Sequence, residues 1–412
     1  MKILHTSDWH LGRNLHGRKR YDEFSAFLDW LLKCLEREKI DVLLVAGDIF
    51  DNTAPTSRSQ ELYFGFLGRV AKSCCRHVVI VAGNHDSASL LDAAKPVLAA
   101  LNVHVIGVAR DNPADEVFIL NDAEGLPMAV VAAVPYLRDR DLRTAVAGEN
   151  ADDKSRKLVV GLQHHYAEVC LIAEEKRQQL GEVPVVATGH LFAAGGKTLG
   201  DDGVRELYVG NLAYIGADVF PESIDYLALG HLHIAQTVAG REYMRYSGSP
   251  LPMGFGEAAQ TKKVVMIDFA GRKPEISEID VPCFQALVRI KGSLEQIVEK
   301  IGDLKKEQST AWLEIECTSF TAPAQLKDAV DDALAGSGME KRLLKNADQR
   351  PAMDGIEDNA PDISDLAPED VFNHCLDAQA VPSEKREILL QTYREAVQTL
   401  VEHDASRDQG TA

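Results

Sequence analysis

The sequence lacks any Cys-x-x-Cys pair, and its seven cysteines (Cys34, Cys74, Cys75, Cys170, Cys283, Cys317, Cys375) are odd in number and scattered along 412 residues. That pattern excludes a disulfide framework and a zinc ribbon, and it fits a reducing compartment. No apolar run is long enough to span a bilayer. The opening Met1-Lys2-Ile3-Leu4-His5-Thr6-Ser7-Asp8 places a single basic residue and an acid before any long apolar run, unlike a signal peptide. A cytoplasmic protein with no membrane association is expected. Basic surplus is missing as well: 44 Lys and Arg stand against 63 Asp and Glu, a net charge of -19. A chain that grips nucleic acid by a broadly basic face would carry the opposite balance. If DNA is the substrate, the positive charge must come from bound divalent metals, a local basic strip or a partner. Internal repeats and low-complexity tracts are also absent.

What is present reads as an α/β protein of two or three domains, with 45% hydrophobic and 26% charged residues, enough to build a sizeable core. Short β-branched runs recur at Lys2–Thr6, Val42–Ala46, Val78–Ala82, Val103–Gly107, Ala129–Val134, Val183–Thr188 and Tyr226–Leu229. Between the first two, Tyr21, Phe24, Leu28, Leu31 and Leu35 fall at helical spacing, so one face should pack on a sheet. Lys154–Leu180 predicts a long helix. After Gly230, strand pairs are expected at Glu242–Tyr246, Lys263–Phe269 and Glu275–Val281, and Pro282 marks a boundary. The strand–helix–strand–helix–strand pattern beyond it predicts a small α/β domain over 282–345. Residues 346–369, poor in large apolar groups, read as a linker. Helices are expected over 370–403, with a disordered tail at 404–412, and Leu389, Tyr393, Ala396 and Leu400 form an apolar stripe that needs covering.

Chemistry concentrates at the ends of the apolar runs. Asp8-x-His10 follows the first, Gly47-Asp48-x-x-Asp51 the second and Gly83-Asn84-His85-Asp86 the third, while Gly189-His190 and Gly230-His231-x-His233 follow later ones. Ligand sites in α/β sheets form beyond the carboxyl ends of parallel strands, so five such motifs can converge on one crevice. One such dipeptide alone would be unremarkable. Together they offer carboxylate, imidazole and amide donors without thiolate, a set suited to manganese, iron(II), magnesium or zinc. Seven candidate ligands, Asp8, His10, Asp48, Asn84, His190, His231 and His233, cannot enclose two ions unless one carboxylate is shared, and Asp48 is central in the motif order. Two ions so held can bind phosphate oxygens, lower the pKa of a bridging water and stabilise in-line attack. His85 is left to act on substrate, with Asp86 placed to fix its tautomer. Gly195-Gly196-Lys197-Thr198 resembles the end of a P-loop, but position 191 is Leu where that motif requires Gly, so no nucleotide site is expected.

These motifs resemble those of the calcineurin-like metallophosphoesterases. Within that family, the stretches His5–Gly12, Gly47–Asp51, Gly83–Ser87, Ala187–Leu191, Leu229–His233 and Tyr246–Pro250 resemble the bacterial subunits of double-strand-break nucleases. The resemblance implies a two-sheet αββα sandwich over 1–281, a cap domain that guides DNA, and C-terminal helices that dock a coiled-coil ATPase through the Leu389, Tyr393, Ala396 and Leu400 stripe. It implies that Asp8, His10, Asp48 and His233 hold one ion and Asp48, Asn84, His190 and His231 the other, with manganese the usual metal. His85 would then contact the scissile phosphate or assist the leaving group. The implied activities are double-strand exonuclease and single-strand or hairpin endonuclease. A homodimer within a heterotetramer is also implied, through nuclease-domain helices that include Ser59–Lys72. Some relatives carry a second catalytic histidine where this chain has Asp51, which leaves Asp51 a loop-holding role.

For DNA contact the local candidates are Arg13, Asn14, His16, Arg18, Lys19 and Arg20, a basic strip just past the first motif. Two other readings compete. A phosphomonoesterase or cyclic-nucleotide phosphodiesterase would share the metal motifs, and a non-catalytic adaptor would bind DNA ends or the ATPase alone. The complete donor set weighs against the adaptor.

Overall fold

The computed structural model describes residues 1–144, 151–193, 215–319 and 321–346, together with Leu376, Arg386 and Leu390. The expected linker, most of the C-terminal helices with Leu389, Tyr393, Ala396 and Leu400, and the Gly195–Thr198 stretch lie outside the described residues. The chain divides into two compact units, 1–348 and 349–412.

Two six-stranded sheets form the centre of the first unit. One runs in the order Lys273–Asp280, Lys263–Ala270, Lys2–Thr6, Val42–Ala46, His77–Val81, Val103–Ile106. The second runs Gln236–Val238, Arg241–Tyr246, Tyr226–Gly230, Val185–His190, Pro127–Ala132, Val117–Asn121. The strands that carry motifs are parallel within each sheet, so their carboxyl ends lie on one edge. Alternation along each strand explains the layering, because successive side chains point to opposite faces. Ile3, Val42, Leu44, Val79 and Val81 of the first sheet meet Val131, Val186, Tyr226 and Ala228 of the second in one buried layer. The opposite face of the first sheet, with Leu4, Leu43, Val45, Val78 and Ile80, packs on Phe24, Phe27, Leu28, Leu31 and Leu35 of the helix Tyr21–Glu38 and on Tyr63, Phe66 and Leu67 of the helix Ser57–Val70. The outer face of the second sheet, with Val130, Ala132, Val185, Ala187 and Leu227, packs on Leu162, Tyr166, Val169 and Ala173 of the helix Ala151–Leu180. The result is the expected αββα sandwich.

The expected strand pairs after Gly230 divide between the sheets. Arg241–Tyr246 extends the second sheet, while Lys263–Ala270 and Lys273–Asp280 form a hairpin on the edge of the first. Beyond Pro282, the strands Leu287–Gly292, Trp312–Cys317 and Glu340–Asn346 form a separate parallel sheet. The helices Leu294–Lys306 and Pro323–Leu334 cover it around a core of its own that includes Ile297, Ile301, Leu313, Ile315 and Val330. The basic strip folds as a miniature hairpin, Asn14–Leu15 against Arg18–Lys19. It touches the small sheet: Leu15, Phe255, Leu287 and Trp312 cluster together, and Arg18 lies over the Trp312 ring and pairs with Glu340.

Candidate metal centre

The turns after the first two motif strands are zipped together by backbone hydrogen bonds, Asp8 N–H to the Gly47 carbonyl and His10 N–H to that of Asp48, both 3.0 Å. Unusual backbone accompanies the motifs. Asp8, His10, Asp48 and His231 all have positive φ (54°, 47°, 51° and 105°), a conformation that costs non-glycine residues energy and persists only where the surroundings impose it. Four of the nine positive-φ non-glycine residues among the described residues are candidate ligands. Glycine is required where the two sheets meet: a Cβ on Gly230 would lie 1.9 Å from the Ala46 carbonyl oxygen.

The structure brings all seven expected ligands together. His10 Nε2 lies 3.2 Å from His233 Nε2 and 3.6 Å from Asp48 Oδ2, with Asp8 in the same group. On the other side of Asp48, His190 Nε2 lies 3.3 Å from Asp48 Oδ2 and 3.0 Å from Asn84 Oδ1, and His231 Nδ1 lies 3.2 Å from the same amide oxygen. Asp48 Oδ2 thus lies near both His10 and His190, and Asp8 is grouped with Asp48 and His190 as well as with His10 and His233. The imidazoles and the carboxylates of Asp8 and Asp48 are nearly or wholly buried.

Groups behind the ligands decide which ring nitrogen faces inward. His190 Nδ1 meets the Ala46 carbonyl at 2.9 Å, His233 Nδ1 meets Glu257 Oε1 at 3.1 Å, and His85 Nδ1 meets the Asp51 carbonyl at 2.8 Å. Each acceptor receives a hydrogen bond from Nδ1–H, so Nε2 is the nitrogen that faces the centre and the one from which an ion would displace a proton. Asp8 is held in turn by Ser7 Oγ at 2.5 Å and by the His231 N–H at 3.0 Å. This orientation, with the hard and borderline donor set, fits divalent ions.

The buried carboxylates draw positive charge into the centre. Burial opposes ionisation of Asp48, but the charges of His190, His10 and His85 outweigh it and hold the carboxyl well below its usual range. For His190, burial works against the proton, yet Asp48 and Asp8 lift its pKa to about 9. His231 is pushed down to about 3 by burial and by neighbouring His190. Such divergence between neighbouring groups is characteristic of functional sites.

Two expectations need correction. Asp86 does not orient His85: its buried carboxylate accepts the backbone N–H groups of Gly83, Ile49 and Phe50 at 2.8, 3.2 and 2.9 Å. Asp86 therefore ties the second and third motif loops together, and the Asp51 carbonyl orients His85 instead. Arg20 is not available to DNA, because its side chain is buried in a two-pronged pairing with Glu23 and a bond to the Pro252 carbonyl. Arg13 is engaged by Asp51 and the Met253 carbonyl. Asn14, His16, Arg18 and Lys19 remain exposed, with His16 stacked on Phe255. Asp51 does hold a loop, and its carboxylate also lies 3.4 Å from His10 Nδ1. Sequence reasoning missed Glu257, which sits on no strand end and in no recognisable motif.

The Calcineurin-like phosphoesterase family matches residues 1–235, and the Type 5 capsule protein repressor C-terminal domain matches 283–380. The SbcD subunit of the nuclease SbcCD from Escherichia coli strain K12 is 33% identical over 98% of this chain and 100% of its own length. The chain belongs to the SbcD family of calcineurin-like phosphoesterases. The SbcD subunit of Rhodobacter capsulatus is 36% identical over 66% of this chain and 67% of its own, and that of Bacillus subtilis 32% over 77% and 78%.

Proposed function

We propose that this chain is the metal-dependent nuclease subunit of an SbcCD-type complex, acting with the ATPase SbcC to hydrolyse DNA phosphodiester bonds. The observation that carries the reading is the convergence of seven donors, Asp48 among them, on one buried centre, with the Nε2 atoms of His190 and His233 turned inward by Ala46 and Glu257. Asp8, His10, Asp48 and His233 would hold one ion, and Asp48, Asn84, His190 and His231 the other, with manganese the preferred metal. Two such ions supply an activated water and neutralise charge on the phosphate. His85, 5% exposed with Nε2 4.0 Å from Asp48 Oδ2, presents its other ring nitrogen to the same space. As an imidazolium, with Nδ1–H held by the Asp51 carbonyl, it would pass its Nε2 proton to the leaving oxygen and be left neutral. Asp51, through its carbonyl, fixes which nitrogen does so.

DNA ends and hairpins are the proposed substrates, approached past Asn14, His16, Arg18 and Lys19. The domain division is proposed as 1–281 for the nuclease, 282–345 for the cap, 346–369 for a linker, and 370–403 for helices that dock SbcC through Leu389, Tyr393, Ala396 and Leu400. A homodimer within the complex and a cytoplasmic location complete the reading. No helix among the described residues is long and apolar enough to cross a membrane.

The test uses the full chain with its SbcC-type partner, ATP and manganese on a DNA hairpin, beside a small phosphodiester. His85→Ala should keep its metal while hairpin cleavage falls by about 10²–10⁴. Turnover of the small ester alone by the wild type would replace the nuclease with a phosphodiesterase, and full cleavage by the variant would remove His85 from the reaction.

A further inference from the structure

Behind the two halves of the centre the supporting groups differ in kind. His190 is backed by a neutral carbonyl, Ala46 O, at 2.9 Å, and His231 Nδ1 faces Asn84 Oδ1, itself a candidate ligand. His233 is backed by the carboxylate of Glu257, a fully buried side chain on the short turn Phe255–Glu257. That carboxylate is clamped from behind. Lys262 Nζ pairs with Glu257 Oε2, and the Met253 N–H reaches the same oxygen at 3.0 Å. Lys262 also donates to the His233 carbonyl at 3.1 Å and to Ser249 Oγ at 3.0 Å. His10, in the same half as His233, has the Asp51 carboxylate at the longer distance of 3.4 Å, and Asp51 is also shared with Arg13.

We infer that Glu257, locked by Lys262, is a positioning residue that fixes the His233 Nδ1–H tautomer and so makes the Asp8/His10/His233 half the tighter of two unequal metal sites. A carboxylate behind an imidazole raises its donor strength more than a neutral carbonyl does, and removal of such a partner typically weakens metal binding by about 10–100-fold. A purely structural ion pair, serving only to pin the 254–262 loop, would not favour one half of the centre. The inference rests on the two-ion reading of the site.

The experiment titrates the metal-free full chain with manganese(II) chloride and follows free ion by electron paramagnetic resonance. Wild type should show two affinity classes. Glu257→Gln, whose amide oxygen can still accept the His233 proton without the charge, should weaken the tight class by about 10–100-fold and move the weak class by less than about twofold. Glu257→Gln combined with Lys262→Met removes both buried charges and should do the same, which covers the case where a lone Lys262 prevents folding. Nitrogen-15 spectra of the metal-free wild type should show His233 as the Nδ1–H tautomer, and the Nε2–H form would overturn the inference whatever the variants do. Two equal classes in wild type, or a variant that weakens both or neither, would overturn it alone. Uptake of fewer than two ions by wild type would overturn the two-ion reading together with it.

Discussion

Gly83→Ala tests the site without altering any proposed ligand. A Cβ at Gly83 would lie 2.1 Å from Asp48 Oδ1, 2.4 Å from the Asp48 backbone nitrogen and 2.7 Å from Asp48 Cγ, where ordinary contact begins at 3.4 Å. Gly83 is not among the positive-φ glycines, so backbone strain is no obstacle and the collision alone decides the outcome. The carboxylate oxygen must retreat by about 1.3 Å, the shortfall between 2.1 and 3.4 Å. It cannot do so freely, because Oδ1 also accepts the His85 N–H at 2.9 Å and Oδ2 lies 3.3 Å from His190 and 3.6 Å from His10. The displaced group is the one both ions would share, so both halves of the site are deprived of a ligand at once. A displacement of about 1 Å costs on the order of 10²-fold in rate, and overpacking of this kind costs about 1–3 kcal/mol in stability. Manganese-dependent hairpin cleavage should therefore fall at least about 100-fold while circular dichroism still reports the folded protein. Cleavage within about threefold of wild type, a difference under 1 kcal/mol in the barrier, would refute the placement of Asp48 as the shared ligand.

Other consequences are simpler to state. Arg20→Ala strands the buried Glu23 carboxylate and should cost about 3–5 kcal/mol in urea unfolding, whereas a cost near zero would return Arg20 to the surface. Arg18→Ala with Lys19→Ala should flatten the log–log salt dependence of DNA binding by about 0.9 for each phosphate no longer neutralised, and an unchanged slope would remove the hairpin from the DNA path. Burial, helped by His77 and Lys95, lowers the pKa of His104 from 6.5 to about 4. The unfolded chain therefore takes up a proton there before the native one does, and stability falls as pH drops from about 6.5 to about 4. His104→Gln should make that stretch of the urea-midpoint profile flatter, and a profile identical to wild type would show that this imidazole titrates normally.

Much of the fold was legible because buried parallel strands are continuous apolar runs: Lys2–Thr6 and Val42–Ala46 begin and end where the sequence places them. The centre was legible for a related reason, since each ligand sits where an apolar run stops at a glycine or a carboxylate. Shorter and more polar elements were not. The strand Val117–Asn121 exposes Ile119 and Asn121, and each strand of the Asn14–Lys19 hairpin is only two residues long. Nor can a run of basic residues reveal which member is buried. Arg20 is buried because Glu23 lies one turn along its helix and Pro252 approaches from a distant segment. The supporting groups were the least visible, because Glu257 meets His233 only through a turn placed by packing of Phe255 on Leu15, Leu287 and Trp312. Asp86 adjoins His85 in sequence, yet its carboxylate turns to three backbone donors instead.

The claim on which the rest depends is that Asp48 is shared between two ions. Anomalous diffraction from crystals of the full chain soaked in manganese tests it directly. The account predicts two peaks about 3.5–4 Å apart, with an Asp48 oxygen bonded to both, Asp8, His10 and His233 around one, and Asn84, His190 and His231 around the other. A single peak, or two peaks with Asp48 bonded to only one, would contradict it.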